Sequence, residues 1–215
     1  MPPKAEGQSG YTLIAVDGVD GSGKTTFAEE LARLLRAEGL TVVVLHADHF
    51  HHLRATRYRL GRDSPEGFWL DSYDYAALRH WAVEPFLPGG QGIYRERATD
   101  LERDCYLEAE SIQAAPGTVV IVEGMFLHRD ELREDWDFSI FLDVPFSVTA
   151  QRMASRDGSP ADPEHPAMRR YVQGQRLYFA ACKPWSRASV VVDNSDPGQP
   201  QLCAPSPGQI AEEAE

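Results

Sequence analysis

The sequence predicts an α/β domain with a central five-stranded parallel sheet, and three observations carry that prediction. Short apolar runs that read as buried strands alternate with stretches of helical periodicity. The run Gly18-Val19-Asp20-Gly21-Ser22-Gly23-Lys24-Thr25 satisfies G-x-x-x-x-G-K-[ST] between the first strand and the first helix. Two acidic residues, Asp48 and Glu123, follow or close later strands, on the side where open α/β sheets bind ligands.

The first strand is "YTLIAV" (11–16), a nearly continuous apolar run of the kind buried on both faces. "KTTFAEELARLLRAEG" follows, with Phe27, Leu31, Leu34 and Leu35 at helical spacing and Gly39 as a C-terminal stop. "TVVVLH" (41–46) is the second strand and completes a βαβ unit, whose crossover is right-handed. Residues 53–74, rich in Arg, Gly, Asp and Ser, read as a long functional loop. "YDYAALRHWAVEPFL" (73–87) has a helical pattern that "PGGQG" ends. "TVVIVEG" (118–124) and "FSIFLDV" (138–144) are the third and fourth strands. "PFSVTAQRMASRD" (145–157) reads as a helix with Pro145 in its first turn, and "AMRRYVQGQRLYFAACKPW" (167–185) as another despite Gly174. The loop "GSPADPEHP" joins them, and "ASVVVDN" (188–194) is the fifth strand. Residues 1–10 read as a flexible N-terminus, 11–196 as one domain, and 197–215 as a disordered, finally acidic tail.

The chain has 215 residues, enough for one sizeable core. Its formal charge of −12 argues against a nucleic-acid or anionic-membrane surface, since phosphate backbones must be met by excess Lys and Arg. Phosphate chemistry must therefore be local. Cys105, Cys182 and Cys203 are odd in number, widely spaced and free of C-x-x-C, which fits reduced thiols in a cytoplasmic protein. The N-terminus lacks an apolar leader, and no apolar run approaches about 18 residues, so secretion and membrane spanning are not expected.

In the phosphate loop, Gly18, Gly21 and Gly23 let backbone N–H groups turn inward around phosphate oxygens. Asp20, Ser22 and Thr26 line the same loop and helix start. Lys24 is placed to reach the outer phosphates, and Thr25 offers a hydroxyl to Mg²⁺. The expected ligands are ATP and Mg²⁺. Asp48 suits the role of accepting a proton from an attacking hydroxyl, and Glu123 that of holding Mg²⁺ through water; the bland alternative for either is a helix cap or a solvated acid.

Four histidines crowd the same stretch, His46, His49, His51 and His52 in "LHADHFHHLR". They match neither H-E-x-x-H nor a paired zinc spacing, so pocket lining or surface positions are favoured over a transition-metal site.

Taken together, the phosphate loop, "ADHF", "SPEGFWLDSYDYAAL", "EPFLPGGQGIYRE", "VEGMFLHRDEL" and "RRYVQGQRLYF" resemble the uridine kinase-like branch of the P-loop kinases, from about residue 11 to 195. The resemblance implies a three-layer P-loop fold with a mobile lid and ATP-dependent phosphorylation of a hydroxyl, usually the 5′-OH of a ribonucleoside. By position it implies Asp48 as the base, with Thr25, Asp48 and Glu123 around the metal. It implies Asp71, with Asp74 as a rival, gripping the sugar hydroxyls, and Tyr94 stacking near the base. Arg152 and Arg156 take the place of lid arginines, with Arg169, Arg170 and Arg176 as further candidates; their alternative is a solvated helix face. Asn194 and Asp196 fall on the adenine side.

One departure stands out. Pyrimidine-specific members carry a histidine shortly after that tyrosine to read the base, whereas "YRERATD" supplies Arg97 or Thr99. The expected partner is thus a small-molecule hydroxyl acceptor, a nucleoside or nucleoside-like alcohol, with homo-oligomerisation left open. Two alternatives share the core: a phosphotransferase acting on an antibiotic or secondary metabolite, and a nucleotide-binding regulatory ATPase without a small acceptor.

Overall fold

The computed structural model describes residues 10–204. Strand β1 (Thr12–Gly18) is central, flanked by β3 (Val119–Gly124) and β4 (Phe138–Asp143). Outside them lie β2 (Val42–His46) and β5 (Val190–Asp193), so the parallel order is β5-β4-β1-β3-β2. The five strands are those read from the sequence, each trimmed or extended by a residue or two at its ends. β6 (Gln201–Cys203) pairs antiparallel with β5, so the stretch assigned to the tail adds a sixth strand at the sheet edge. Residues 1–9 and 205–215, which hold most of the expected flexible terminus and the acidic end, lie outside the described residues.

The period-two alternation of β1 divides the core. Ile14 and Val16 face one side with Ile121, Ile140, Leu142 and the buried Ala28 and Ala32 of α1 (Lys24–Ala37). Leu13 and Ala15 face the other side, against an aromatic layer that includes Phe50, Phe68, Tyr73, Phe126 and Tyr178. Burying one such aromatic side chain contributes about 1.5–3 kcal/mol.

Three departures from the expected elements have local causes. Residues 53–74 are not all loop: Ser64 accepts a hydrogen bond from the Gly67 N–H, and Pro65 opens helix α2 (Pro65–Asp71). The helical pattern of 73–87 breaks into a turn of α-helix (Tyr75–Leu78), a π-turn (Arg79–Val83) and a 3₁₀ turn (Glu84–Phe86). Pro85 cannot donate to an α-helical ladder there. Helix α3 (Phe146–Asp157) forms as expected, whereas α4 (Arg169–Cys182) ends early, because Lys183 adopts φ 45° just before Pro184.

Gly174 is required rather than tolerated. A Cβ there would sit 2.7 Å from the Phe68 ring and 2.9 Å from the Pro65 carbonyl oxygen, so α2 packs on α4 through this position. Among the described residues, no helix is long and apolar enough to cross a membrane.

Candidate functional site: the phosphate loop and the strand-end acids

The loop between β1 and α1 turns on two glycines with left-handed backbone, Gly21 at φ 76° and Gly23 at φ 89°. A Cβ on Gly21 would meet the Thr149 carbonyl oxygen at 2.9 Å, and one on Gly23 would meet Asn194 Nδ2 at 2.9 Å. The cradle is therefore closed to side chains by both conformation and neighbours. Asn194, buried at the end of β5, donates to the Ser22 carbonyl oxygen at 2.7 Å. Arg152 of α3 donates to the carbonyl oxygens of Gly21 and Ser22, and to those of Asn194 and Ser195 at 2.9 Å each. In this structure Arg152 braces the loop from behind. Lys24 Nζ donates to the Val19 carbonyl oxygen at 2.8 Å.

Asp20 is held from both helices that flank the expected lid. Its N–H donates to Gln175 Oε1 of α4 at 2.7 Å, and its carboxylate lies 3.8 Å from the Arg156 guanidinium of α3. Arg156 is held in its charged form chiefly by its hydrogen bond to Asp157, with the charges of Asp20 and Asp48 adding to it.

The acids are brought together by register. β2 and β3 run side by side with His46 opposite Glu123, and β1 places Val16 opposite the same Glu123. Glu123 is buried, and its Oε1 accepts from the Thr25 hydroxyl at 3.0 Å and lies 2.6 Å from His46 Nδ1. That hydrogen bond raises the imidazole pKa of His46 above its ordinary value. Asp48 sits in a 3₁₀ turn (Ala47–Phe50) directly after β2. The turn lies close against β3, since a Cβ on Gly124 would stand 2.4 Å from the Ala47 Cβ. Tyr73 donates its hydroxyl to Asp48 Oδ1 at 2.7 Å, and His51 Nδ1 donates to the Asp48 carbonyl oxygen at 2.7 Å.

The histidines resolve individually. His46 holds Glu123, His51 packs on the Tyr73 ring at 4.3 Å, and His52 approaches Asp74 at 3.7 Å. His49 Nδ1 meets the Glu96 carbonyl oxygen at 3.1 Å. Among the described residues no group of three or more His, Cys, Asp or Glu is arranged to hold a metal by itself. The Thr25 hydroxyl and the Glu123 carboxylate, by contrast, are hard oxygen donors beside a phosphate cradle. That donor chemistry fits Mg²⁺, which keeps several waters and shares phosphate oxygens.

The expected acceptor residues are more dispersed. Asp71, at the end of α2, takes both carboxylate oxygens to Arg59, at 3.0 and 3.1 Å. Asp74 caps the following turn by accepting from the Ala77 N–H at 2.9 Å. Tyr94 is only 4% exposed, with its ring tilted against Phe86. Arg169 is exposed at the start of α4, and Arg176 pairs with Glu164 at 2.8 Å. Arg170 is buried and donates to the carbonyl oxygens of Arg57, Gly61, Arg62 and Ser64, so it holds the 57–64 segment in place. Asp196 accepts from the Gly198 N–H within its own loop.

An open cleft of about 990 Å³ adjoins the phosphate loop, lined in part by Gly23, Thr25, Thr26, Asn194, Pro197 and Pro200. Three residues that shape this region carry no motif of their own. Asp17, fully buried beneath the loop, accepts from the N–H groups of Gly18, Phe126 and His128, from His128 Nδ1 and from the Tyr178 hydroxyl. His46 and Tyr73 are the other two. The strand read from the sequence stops at residue 16; β1 runs on to Gly18, which puts the Asp17 carboxylate inside a buried strand, a placement that demands several donors. Tyr73 carried no sequence signal.

The family model for the AAA domain matches residues 14–176. A uridine kinase from Proteus mirabilis is 31% identical over 158 residues, covering 68% of each chain. Among solved structures, a protein described as a possible uridine kinase from Bacillus stearothermophilus aligns with a TM-score of 0.68 at 26% identity, over 88% of this chain and 91% of that one. Phosphoribulokinase from Rhodobacter spheroides shares the fold, with a TM-score of 0.58 at 17% identity, over 85% of this chain and 70% of that one. The phosphate loop, the strand order and these relatives agree: the chain belongs to the uridine kinase-like family of P-loop kinases, phosphotransferases with an alcohol acceptor.

Proposed function

We propose that this kinase transfers the γ-phosphoryl group of ATP to a hydroxyl of a nucleoside or nucleoside-like small molecule, probed first as the 5′-OH. The observation that carries the reading is the grouping of Thr25, in the first turn of α1, with Glu123 and Asp48 at the carboxyl ends of the neighbouring strands β3 and β2, beside a glycine cradle. Thr25 and Glu123 would hold Mg²⁺, with Asp48 near it; the bound ion would neutralise charge on the phosphate oxygens. Lys24 binds the outer phosphates, Arg156, beside Asp20 of the loop, is the lid-side cation that would meet them, and Arg152 serves by bracing the cradle.

Asp48 takes the proton from the acceptor hydroxyl as the acceptor oxygen bonds to the γ-phosphorus. The bond from that phosphorus to the β–γ bridging oxygen breaks, and ADP leaves with the electron pair. The transition state is loose, so the protein contributes position and charge rather than covalent chemistry. Closure of the 158–165 loop over the phosphates would exclude water and limit wasteful hydrolysis.

A specific observation favours acceptors beyond uridine and cytidine. Thr99, one of the two residues in the place of a base-reading histidine, is buried and donates its hydroxyl to the His49 carbonyl oxygen at 3.1 Å. It has no hydrogen left with which to read a base. With Thr99 committed and Arg97 exposed, we read the site as lacking a matched base reader; such a site discriminates weakly among bases, which suits modified nucleosides, sugar-like alcohols or a nucleoside antibiotic. A panel of these compounds with ATP and Mg²⁺, read by ADP release, tests the proposal. Acceptor-dependent ADP release supports it; ADP release indifferent to every acceptor supports the regulatory ATPase instead.

A further inference from the structure

Tyr73 lies in a segment that the sequence assigned to the acceptor loop without giving this residue a role. Its side chain is 1% exposed, and its ring stacks among His51, Tyr75 and Phe126. Its hydroxyl reaches out of that apolar layer to Asp48 Oδ1 at 2.7 Å.

The backbone around this contact is equally constrained. His51 and Tyr73 form an antiparallel bridge; His52 N–H donates to the Ser72 carbonyl oxygen at 3.0 Å, and Asp74 N–H donates to the Phe50 carbonyl oxygen at 2.8 Å. The 46–52 turn and the 72–74 segment are thus zipped together, and His51 Nδ1 fixes the Asp48 carbonyl oxygen as well. Asp48 is held at its backbone by one residue and at one carboxylate oxygen by another.

From this geometry we infer that Tyr73 is a positioning residue for Asp48: its phenol occupies Oδ1, fixes the plane of the carboxylate and leaves Oδ2 for the acceptor hydroxyl. The inference rests on Asp48 being the base. A rotating carboxylate would present either oxygen over a range of angles, and proton transfer in a positioned site loses rate steeply with such misplacement. A purely structural Tyr73 would instead be a core aromatic whose hydroxyl found the nearest acceptor. Removing that hydroxyl would then lower stability and leave turnover alone.

The two roles separate in steady-state kinetics of Tyr73→Phe, with ADP release followed for uridine and for whichever panel alcohol is turned over fastest. The expected result is a kcat lower by roughly 10- to 100-fold, with KM for ATP and for the alcohol within about twofold of wild type. In the Asp48→Asn background the same substitution should change kcat by less than about twofold, because the carboxylate it positions is gone. A thermal melt run alongside shows whether the variant is folded at the assay temperature. Wild-type kcat in Tyr73→Phe, or an undiminished effect of the substitution in the Asp48→Asn background, overturns the inference. If Asp48→Asn itself keeps wild-type turnover, or no panel alcohol is turned over, the base reading fails first and the inference falls with it.

Discussion

Thr25 and Glu123, 98 residues apart in sequence, meet at 3.0 Å between the Thr25 hydroxyl and Glu123 Oε1. The pair ties the first turn of α1 to the end of β3, and the same carboxylate oxygen carries His46. With Oε1 committed to these neighbours, Oε2 is the oxygen that would face a hydrated ion under the proposed function.

Glu123→Gln should therefore lower turnover by about 10- to 100-fold and raise the Mg²⁺ concentration needed for half-maximal rate. The measurement is ADP release against Mg²⁺ at saturating ATP. A Mg²⁺ profile equal to that of the wild type would place the metal elsewhere.

Arg170 was grouped with the lid arginines by sequence position, yet it is buried, and its guanidinium donates to backbone oxygens of the 57–64 segment and lies over the Tyr58 and Phe68 rings. Hydrogen bonds from a charged donor are worth more than neutral ones, so Arg170→Ala should destabilise the protein by about 3 kcal/mol. Arg169→Ala, one residue earlier and exposed, should leave stability within about 0.5 kcal/mol of wild type. Urea unfolding of the two variants makes the comparison. Equal stabilities would mean that Arg170 does not hold the segment.

His51 gives the protein a pH dependence on the acid side. Burial lowers its pKa below the usual 6.5 and outweighs the pull of the Asp48 carboxylate, while Arg57 and His49 add to the lowering. In the unfolded chain the imidazole takes up a proton as pH falls through 6.5, whereas the folded protein keeps it neutral to lower pH. The unfolded state then binds more protons, so the stability tied to neutral His51 is present above that pH and is lost as pH falls below it. His49 shifts in the same direction through burial. His46, whose pKa is raised by Glu123, works in the opposite direction, so the contribution of His51 is read by difference: between about pH 7.5 and 5.5 the urea midpoint of His51→Asn should fall less, or rise more, than that of the wild type. An unchanged slope in the variant would remove His51 from this role.

The legible parts of the molecule are those set by local pattern. The five parallel strands follow from apolar runs, and the phosphate loop from glycine spacing beside a strand and a helix. Helix α2 was equally local, with Ser64 as its cap and Pro65 at its first position, but the polar residues around it read as loop. What the pattern could not carry is pairing across the fold. Tyr73 lies 25 residues from Asp48, and His128 lies 111 from Asp17. No period or spacing links such residues; only the stacking of strands and the closure of the aromatic layer brings them together. The same holds for Asp71 and Arg59, whose ion pair redirects a carboxylate that sequence position had aimed at the acceptor. The four histidines of the 46–52 stretch were conspicuous by composition, yet each has a separate partner and the acid among them organises the turn.

The base role of Asp48 is tested most directly by single-turnover and steady-state ADP release from Asp48→Asn with the best panel alcohol. The expected result is turnover lower by about 10²-fold or more, with ATP binding and the melting temperature close to wild type. Wild-type turnover in that variant would contradict the assignment of the proton transfer to Asp48.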